Sequence, residues 1–447
     1  MTIQIPEKVA FIIGELYKNG YEAFAVGGCV RDSILGRTPQ DWDITTSAKP
    51  LEVKKIFGRT IDTGLKHGTV TVMLDKEGFE VTTYRVDGAY EDNRHPKDVS
   101  FTSDLEEDLK RRDFTINAMA YNEQAGLVDI FGGLKDIKSR MIRCVGNAGE
   151  RFDEDALRIL RAVRFSAQLG FDIDEQTCEA MTSKADHLKN ISAERIQTEL
   201  VKLLVSDHPE YIDKAFKLGL TNVFLPEYDA IAGLETHSPK HIYTVDVHTQ
   251  KALQAVEAVP ALRLAMLMHD FGKSKTKKTD SDGRTTFKNH AQVSAEMARR
   301  ILRRLKFDND TTDKVTRLIR WHSMKYNPEP ASARRAINRV GRDIFEDFLK
   351  VQTADLLAKS PDIIEDGLKL LKEKELLYRQ IIDEGQCFEI KMLAVNGRDL
   401  IQAGLKEGPM LGKILEQLTE AVIDDQALNT KEQLIQKALD MEEKIKD

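Results

Sequence analysis

The 447-residue sequence has few cysteines and no long apolar run. Its four cysteines, Cys29, Cys144, Cys178 and Cys387, are far apart and form no CxxC pair, which argues against a zinc ribbon and against a disulfide framework. No stretch approaches the roughly 20 apolar residues that a membrane-spanning helix needs. We therefore expect a cytoplasmic protein that has no membrane partner.

A net positive charge is also lacking. The formal net charge is -7, which excludes a uniformly basic surface for nucleic acid and leaves only local patches. Hydrophobic residues make up 41% of the chain, which is enough for several cores, so we expect two to four domains.

The order of patterns along the chain predicts a mixed α/β domain followed by helices. Up to about residue 145, helical segments alternate with the strand-like EAFAV, DITT, TVTVML and FEVTTYR; the last two are joined by a turn at Asp75 to Gly78, and a helix begins at Pro50. From Glu150 onward the strand signals vanish and periods near 3.6 residues dominate. Loop and helix-start signals near residue 148, in 221–241 and near 360 predict domains that cover residues 1–148, 149–225, 226–360 and 361–447.

The segment GGCVRDSILGRTPQDWDITTS is the strongest local feature. Gly27 and Gly28 follow a predicted strand and precede a predicted helix, so the backbone can approach a triphosphate there. Arg31 adds a full positive charge that can pair with phosphate oxygens. This pattern predicts a nucleotide-phosphate site.

Two aspartates follow that segment at a spacing of two. On a strand, the carboxylates of Asp41 and Asp43 would project to the same side, close enough to hold one or two hard divalent ions such as Mg²⁺. Glu80, in FEVTTYR, is the candidate third carboxylate. A lone DxD is more often a solvated turn, but its combination with the two glycines and a strand-borne glutamate is far rarer.

Several motifs in order resemble the class II CCA-adding enzymes. They are GGCVRD, the DxD pair, RRDFTINAMAYN (111–122) and EDALRILRAVRF (154–165). The resemblance implies a polymerase β-like nucleotidyltransferase head, followed by mostly α-helical neck, body and tail domains. It also implies that Gly28 and Arg31 contact the triphosphate, and that Arg112 and Asn117 help to build the nucleotide pocket.

The same resemblance assigns nucleotide selection to EDALRILRAVRF. Asp155, Arg158, Arg161 and Arg164 match the positions that the family uses to select and hold the incoming nucleotide. A carboxylate accepts from an exocyclic amine while a guanidinium donates to the adjacent ring atom, a combination that suits C and A but not U or G. Spacings of three place Asp155, Arg158 and Arg161 on one helix face; an exposed, salt-bridged surface is the alternative.

The polar segment RVDGAYEDNRHPKDVSF (85–101) lies where the family has a flexible loop that helps the pocket switch from C to A. A loop without a role in nucleotide selection is the alternative. Its presence argues against an enzyme that adds only CC, but it does not exclude one that adds only the terminal A.

A second group of residues resembles the HD phosphohydrolase superfamily. The ordered series contains His248, His269 with Asp270, and Asp355, with His290 and His322 in between. Imidazoles and carboxylates on packed helices can hold a divalent transition metal that activates water against a phosphate ester. The four residues His248, His269, Asp270 and Asp355 are therefore candidate metal ligands for an accessory phosphatase or phosphodiesterase.

Residues 296–342, here called the basic track, carry 13 Lys and Arg against five Asp and Glu. Basic side chains that recur along helices suit phosphate contacts that recognise tRNA by shape, although a solvated helical face is the alternative. The segment 397–418 resembles the family's tail, which packs near the tRNA elbow. The track includes Arg299, Arg300, Arg303, Arg304, Arg317, Arg320, Arg334, Arg335 and Arg339.

The sequence thus predicts a template-independent enzyme that adds CCA to tRNA from CTP and ATP with Mg²⁺, releasing pyrophosphate. The expected partners are tRNA and the two nucleotides, without DNA. The rival interpretations are an enzyme that adds only the terminal A and a bacterial poly(A) polymerase. A non-catalytic tRNA-binding protein, or an HD metabolic hydrolase with a vestigial head, belongs to a different class.

Overall fold

The computed structural model describes residues 2–88, 99–236, 242–281 and 285–446. The chain divides into two compact units, Met1–Asp229 and Ala230–Asp447, here called the first and second units. A mixed sheet lies in the first unit and helices dominate the rest, which confirms the predicted fold class. The finer division into four domains stays a prediction.

The first unit combines strands and helices. Its helices are α1 Glu7–Lys18, α2 Gly28–Ile34, α3 Pro50–Ile56, α4 Leu105–Lys110, α5 Gly133–Ser139, α6 Ala148–Glu154, α7 Leu157–Leu169, α8 Glu175–Ser183, α9 Ala193–Leu204, α10 Ile212–Lys217, α11 Thr221–Phe224 and α12 Pro226–Asp229. Its strands are β1 Ala23–Val26, β2 Ile44–Thr46, β3 Thr60–Gly64, β4 Thr69–Leu74, β5 Glu77–Thr83, β6 Arg85–Asp87, β7 Val99–Phe101, β8 Ala120–Asn122, β9 Gly126–Val128, β10 Met141–Ile142 and β11 Asp172–Ile173.

The second unit is mostly helical. Its elements are α13 Val245–Ala255, α14 Pro260–Met268, α15 Lys273–Thr276, β12 Lys278–Thr279, β13 Thr285–Thr286, α16 His290–Arg304, α17 Asn309–Trp321, α18 Pro330–Val340, α19 Phe345–Leu357, α20 Ile364–Asp383, α21 Gly397–Gln402, α22 Pro409–Asp424 and α23 Lys431–Lys446. The two-residue strands β11, β12 and β13 correct the expectation that strands end before Glu150. Such short pairs lack the alternating pattern by which sequence reveals a strand.

Seven strands form the main sheet in the order β3-β4-β5-β2-β1-β8-β9. The pairing is antiparallel except between β2 and β5, which run parallel. Helix α1 belongs to this part of the core because its four apolar positions Val9, Ile12, Ile13 and Leu16 are all buried. The period of 3.6 residues aligns those positions on one helix face.

The β4–β5 hairpin shows how the local sequence sets the register. Asp75 and Lys76 form the two-residue connection, and both have positive φ angles of 48° and 72°. Positive φ at both central residues is the pattern of a type I′ turn, whose twist matches the flanking strands. The turn is therefore shorter than predicted, and Gly78 lies inside β5, where an added Cβ would come within 2.8 Å of Thr71 Cγ2.

The second unit buries its apolar residues between helices. In α14 every residue from Leu262 to Met268 is buried, whereas α22 buries one face and contributes Ile414, Leu418 and Val422 to a separate cluster near the C-terminus. Within the described residues, no helix is both long and apolar enough to cross a membrane. All four cysteines are free thiols.

Candidate functional site

Three carboxylates gather at one edge of the main sheet. Asp41 and Asp43 lie in the coil just before β2, not on a strand as predicted, because regular pairing starts only at Ile44. In the parallel β2–β5 pair, Ile44 is opposite Val81. Asp43 precedes Ile44, and Glu80 precedes Val81. The parallel register therefore brings Glu80, the predicted third carboxylate, beside the aspartates.

The electrostatics of these groups reflect that proximity. Desolvation raises the pKa of Asp43, the charge of Asp41 raises it further, and Arg112 opposes both effects. Desolvation also raises the pKa of Glu80, and the charges of Asp43 and Asp41 add to the increase. Three oxygen-rich side chains that destabilise each other's charge suit a hard divalent cation, whose positive charge would relieve the repulsion.

Gly27 occupies a backbone conformation that other residues rarely adopt. Its φ is 83° and its ψ is -127°, and an added Cβ would lie 3.0 Å from Nη1 of Arg112. The Gly27 N–H donates to the carbonyl of Met119 at 3.1 Å. The glycine therefore lets Arg112 approach the start of α2, where Gly28 is the first helical residue.

A buried polar chain connects three of the predicted nucleotide-site residues through one that was not predicted. Arg31 Nη1 donates to Asn117 Oδ1 at 2.7 Å, and Asn117 Nδ2 donates to Asp113 Oδ1 at 3.1 Å. Arg161 Nε donates to the other oxygen of Asp113 at 2.8 Å. Asp113 is the acid within RRDFTIN, and this position in the motif was the available signal for its role.

The charge of Asp113 is well stabilised. Burial alone would raise its pKa, but the Arg161 ion pair and the Asn117 hydrogen bond lower it to about 2. Asp108, also not predicted, pairs with two arginines that follow it in the sequence. Arg111 Nη2 lies 2.7 Å from its Oδ1, and Arg112 Nη2 lies 3.5 Å from its Oδ2. These two acids hold cationic side chains in place around the nucleotide motif.

Asp155 does not share a helix face with Arg158 and Arg161, contrary to prediction. It is the extended residue between α6 and α7, with φ -143° and ψ 101°, and its Oδ1 accepts the Leu157 N–H at 3.1 Å. Its Oδ2 lies 2.6 Å from Arg195 Nη2. An aspartate that bonds a backbone N–H two residues on favours starting a new helix over continuing the old one.

Arg158 lies on α7 and is largely buried, with 9% of its surface exposed. Its Nη1 donates to Glu154 Oε2 at 2.6 Å and its Nη2 donates to the carbonyl of Arg111 at 2.9 Å. These contacts fix the guanidinium. Together with the Asp155–Arg195 pair, they hold both groups assigned to base selection in defined positions.

Arg161 and Arg164 contact the same aromatic ring. Cζ of Arg164 lies 3.8 Å from the centroid of Phe165 and Cζ of Arg161 lies 5.3 Å from it. Nε of Arg164 is 2.7 Å from Oε2 of Glu199 on α9. Burial lowers the pKa of Arg164 to about 10, against the opposing charge of Glu199. The two α7 arginines thus belong to one packed cationic group.

The predicted switching loop, 85–101, lies partly outside the described residues, which leave out 89–98.

A separate group of side chains lies in the second unit. We call it the histidine cluster, and it consists of His248, His269, Asp270, His290, His322 and Asp355. The structure brings together all four predicted ligands, since His248 Nε2 is 3.1 Å from Asp355 Oδ1 and His269 Nε2 is 3.2 Å from Asp270 Oδ2. They come from helices α13 and α19 and from the end of α14.

The predicted ligand set omitted His290 and His322. Their Nε2 atoms are 3.4 Å apart, and that of His290 is 3.5 Å from Asp270 Oδ1. Burial lowers the pKa of His322 to about 3 and also lowers that of His290. Burial alone would raise the pKa of Asp270, but His269 and Lys273 hold it well below its usual range. The motifs NHAQ and WHS carried the signal for this second pair.

The basic track is only partly available to a ligand. Arg334 is buried and donates to the carbonyl of Ile423, and Arg335 pairs with Glu420 and Asp424. Arg317 pairs with Asp343. All three arginines contact other elements of the second unit, and the buried Arg334 requires such partners for its N–H groups. The exposed arginines are Arg299, Arg300, Arg303, Arg304, Arg320, Arg339 and Arg342.

Comparison with known proteins covers nearly the whole chain. Residues 23–143 match the family described as "Poly A polymerase head domain", residues 170–231 an RNA and SrmB- binding site of polymerase A, and residues 278–438 a tRNA nucleotidyltransferase domain 2. CCA-adding enzymes of Levilactobacillus brevis and Streptococcus thermophilus are each 36% identical, over 95% and 96% of this chain and 95% of theirs. The structure of the Bacillus stearothermophilus CCA-adding enzyme in complex with CTP aligns with a TM-score of 0.73 at 31% identity, covering 99% of both chains.

Proposed function

The chain belongs to the family of CCA-adding enzymes, and we propose that it adds the triplet CCA to the 3′ end of tRNA from CTP and ATP without a nucleic-acid template. The observation that carries this proposal is the meeting of Asp41, Asp43 and Glu80 at one sheet edge, next to Arg112. The family transfers nucleotides, and a cluster of carboxylates that can hold divalent cations suits this reaction.

In this reaction the terminal 3′ oxygen of tRNA attacks the α-phosphorus of CTP or ATP. The bond from that phosphorus to the pyrophosphate oxygen breaks, and the hydroxyl proton is lost to solvent. Asp41 and Asp43 would hold Mg²⁺, which stabilises negative charge on the phosphates when bound. Gly28 and Arg31 contact the triphosphate, and Gly27 allows the close backbone approach.

Base selection falls to side chains that are already fixed in place. The Asp155 carboxylate accepts from the exocyclic amine of C or A, and Arg158 donates to the neighbouring ring nitrogen. Uracil and guanine would place a carbonyl against Asp155, at a cost of about 1–3 kcal/mol for an unpaired buried group. Arg112, Asn117, Arg161 and Arg164 complete the pocket.

Incorporation of labelled nucleotides into a tRNA that ends before CCA tests this proposal. We expect two C and then one A, with no incorporation from GTP or UTP. Asp41→Asn and Asp43→Asn should each lower kcat by about 10³-fold, because several kcal/mol of charge stabilisation is lost. Asp62→Asn is the matched control, since Asp62 is a surface residue paired with Lys54.

Each rival predicts a different product. Addition of a single A alone would identify an A-adding enzyme, and a long A tail would identify a poly(A) polymerase. Full incorporation by both aspartate variants would contradict the assignment of the carboxylates. A folded wild-type protein that incorporates nothing would favour a vestigial head.

The histidine cluster favours a second activity. We propose that His248, His269, Asp270 and Asp355 hold a divalent transition metal and support an accessory phosphohydrolase. The carrying observation is that these buried nitrogen and oxygen donors converge within ligand distance of one another. Metal-dependent hydrolysis of a phosphate ester, lost in His269→Ala while CCA addition is retained, is the expected result.

A further inference from the structure

The main sheet has a polar face beside the three carboxylates. Along β4, Val70 and Val72 are fully buried, whereas Thr69 and Thr71 are partly exposed. Successive side chains of a strand point to opposite faces, so the valines face the core and the threonines face the other side. Antiparallel pairing places Thr71 directly opposite Glu80 on β5. Glu80 therefore shares its face of the sheet with threonine hydroxyls.

The hydroxyls on this face bond to one another in pairs. Oγ1 of Thr71 lies 2.9 Å from Oγ1 of Thr63 on β3, and Oγ1 of Thr69 lies 3.1 Å from Oγ1 of Thr82 on β5. A hydroxyl has one donor and two acceptor positions, and the bond within a pair uses one donor and one acceptor. Each pair therefore keeps one donor and three acceptor positions for other polar groups.

The strand order shows from which side the tRNA end must approach. In the sheet, β2 lies between β1 and β5. The proposed triphosphate contact Gly28 follows β1, Asp43 precedes β2, and Glu80 lies on β5. In an in-line displacement, the attacking oxygen approaches phosphorus from the side away from the leaving pyrophosphate. A triphosphate on the β1 side therefore leaves the β5 side for the 3′ end of tRNA.

Thr71 lies on that side, one strand beyond Glu80. Directly opposite residues of an antiparallel pair have Cβ atoms about 4.5–5.5 Å apart. The 2′ and 3′ carbons of a ribose are adjacent, so a 3′ oxygen placed beside Glu80 brings the 2′ hydroxyl within reach of the Thr71 side chain. Ile61, the β3 partner of Thr71, is 51% exposed and offers an apolar contact to the C–H groups of the ring.

We propose that Thr71 binds the 2′ hydroxyl of the 3′-terminal nucleotide of tRNA, and that this contact makes the enzyme prefer an RNA end to a DNA end. The inference rests on the proposed nucleotidyl transfer and adds a specificity residue for the acceptor. The Thr71 hydroxyl can donate to and accept from a 2′ hydroxyl, the group that distinguishes RNA from DNA. Thr63 is a positioning residue, because its hydrogen bond orients the Thr71 hydroxyl.

A purely structural role for these threonines makes a different prediction. Branched side chains suit exposed strands, so threonine is common there without any ligand. A threonine that serves only the strand would affect RNA-ended and DNA-ended acceptors equally. The comparison of the two acceptors therefore separates recognition from structure.

The test uses the full-length protein, labelled ATP and two tRNA molecules that lack only the terminal A. One ends in cytidine and the other ends in 2′-deoxycytidine, so the two acceptors differ by a single hydroxyl. We expect the kcat/KM of the wild type to be about tenfold higher for the cytidine end, the effect of one hydrogen bond to a polar group.

Thr71→Val removes the hydroxyl and keeps the branched shape of the side chain. We expect its kcat/KM to fall about tenfold for the cytidine end and to stay unchanged for the deoxycytidine end, so that the preference disappears. The missing 2′ hydroxyl also changes the acidity of the 3′ hydroxyl, but equally for both proteins, so the comparison isolates the contact. Thr71→Ser should keep the preference, and Thr63→Val should reduce it.

Thr60→Val is the matched control. Thr60 lies on the same edge strand, but it pairs with the buried Val72 and so faces the other side of the sheet. The same substitution at this position should leave both rates and the preference unchanged.

Equal slowing of both acceptors by Thr71→Val would overturn recognition and show a structural role. A preference that persists in Thr71→Val, or its absence in the wild type, would also overturn the inference while the proposed nucleotidyl transfer stands. If the wild type adds no A even to the cytidine end, the nucleotidyl-transfer proposal fails and this inference fails with it.

Discussion

At the scale of single residues, the head depends on acids that hold cationic side chains in place. Asp113 receives hydrogen bonds from Asn117 and Arg161, and Asn117 in turn accepts one from Arg31. The chain of contacts connects Arg31 on α2 to Arg161 on α7. Loss of the central acid would leave Arg161 without its charged partner.

We expect Asp113→Asn to lower the free energy of unfolding by about 2 kcal/mol at pH 7, the equivalent of the shift of its pKa from 3.8 to about 2. Because the pKa is lower in the folded state than in the unfolded chain, the ionised carboxylate stabilises the fold at pH values above the unfolded pKa. The contribution is lost as the pH falls from about 4 through 2. Urea unfolding at pH 7 and at pH 3 measures both effects.

Asp186→Asn is the control for this change, because Asp186 is an exposed residue that pairs with Lys189 and should matter little. An Asp113→Asn variant that is equally destabilised at both pH values would contradict the electrostatic origin of the effect. In that case the loss would come from packing alone.

At the scale of elements, the break between α6 and α7 sets the position of Asp155, the proposed base-selecting acid. Helical periodicity correctly predicts α7, but it also predicts that the helix continues through Asp155. The extended backbone at that residue instead releases its carboxylate from the helix surface, and Arg195 on α9 holds it. Of the two proposed base-selecting residues, Asp155 therefore lies in the connection after α6 and Arg158 lies on α7.

We expect Asp155→Asn to lower kcat/KM for CTP and ATP by about 10–100-fold and to raise UTP incorporation relative to CTP, since an amide can donate to a carbonyl. Steady-state incorporation with each of the four nucleotides measures this change. Asp153→Asn is the matched control on α6, where Asp153 pairs with the surface residue Lys184. Unchanged selectivity in Asp155→Asn would show that another group reads the base.

At the scale of the whole molecule, the two units carry separate chemical groups. The carboxylates and arginines proposed to serve nucleotidyl transfer lie in the first unit, whereas the histidine cluster and the basic track lie in the second. An acidic protein that binds tRNA needs a local concentration of exposed cations. Arg300 and Arg303 on α16 meet this requirement because both are exposed.

We expect the double variant Arg300→Glu and Arg303→Glu to weaken tRNA binding and to reduce the slope of log affinity against log salt by about 2, one for each lost phosphate contact. Filter binding over a range of salt concentrations measures the slope. Lys372→Glu, an exposed position on α20 outside the track, is the control. An unchanged slope would show that these arginines form only a solvated helix face.

The sequence by itself determined the element types and the family motifs. EAFAV, TVTVML and FEVTTYR became β1, β4 and β5, and the helical periods became α7, α9, α14 and α20, because alternation and the 3.6-residue period are properties of the local backbone. It also identified Asp41, Asp43 and Glu80 as candidate catalytic carboxylates.

Only the tertiary structure decided which side chains meet. Parallel pairing of β2 with β5 brings Glu80 beside Asp43, and helix packing brings His248 to Asp355 across 107 positions of the chain. The structure also assigned Arg334 to an internal contact instead of the tRNA track. Such contacts depend on strand register and on the orientation of packed helices, which no local pattern encodes.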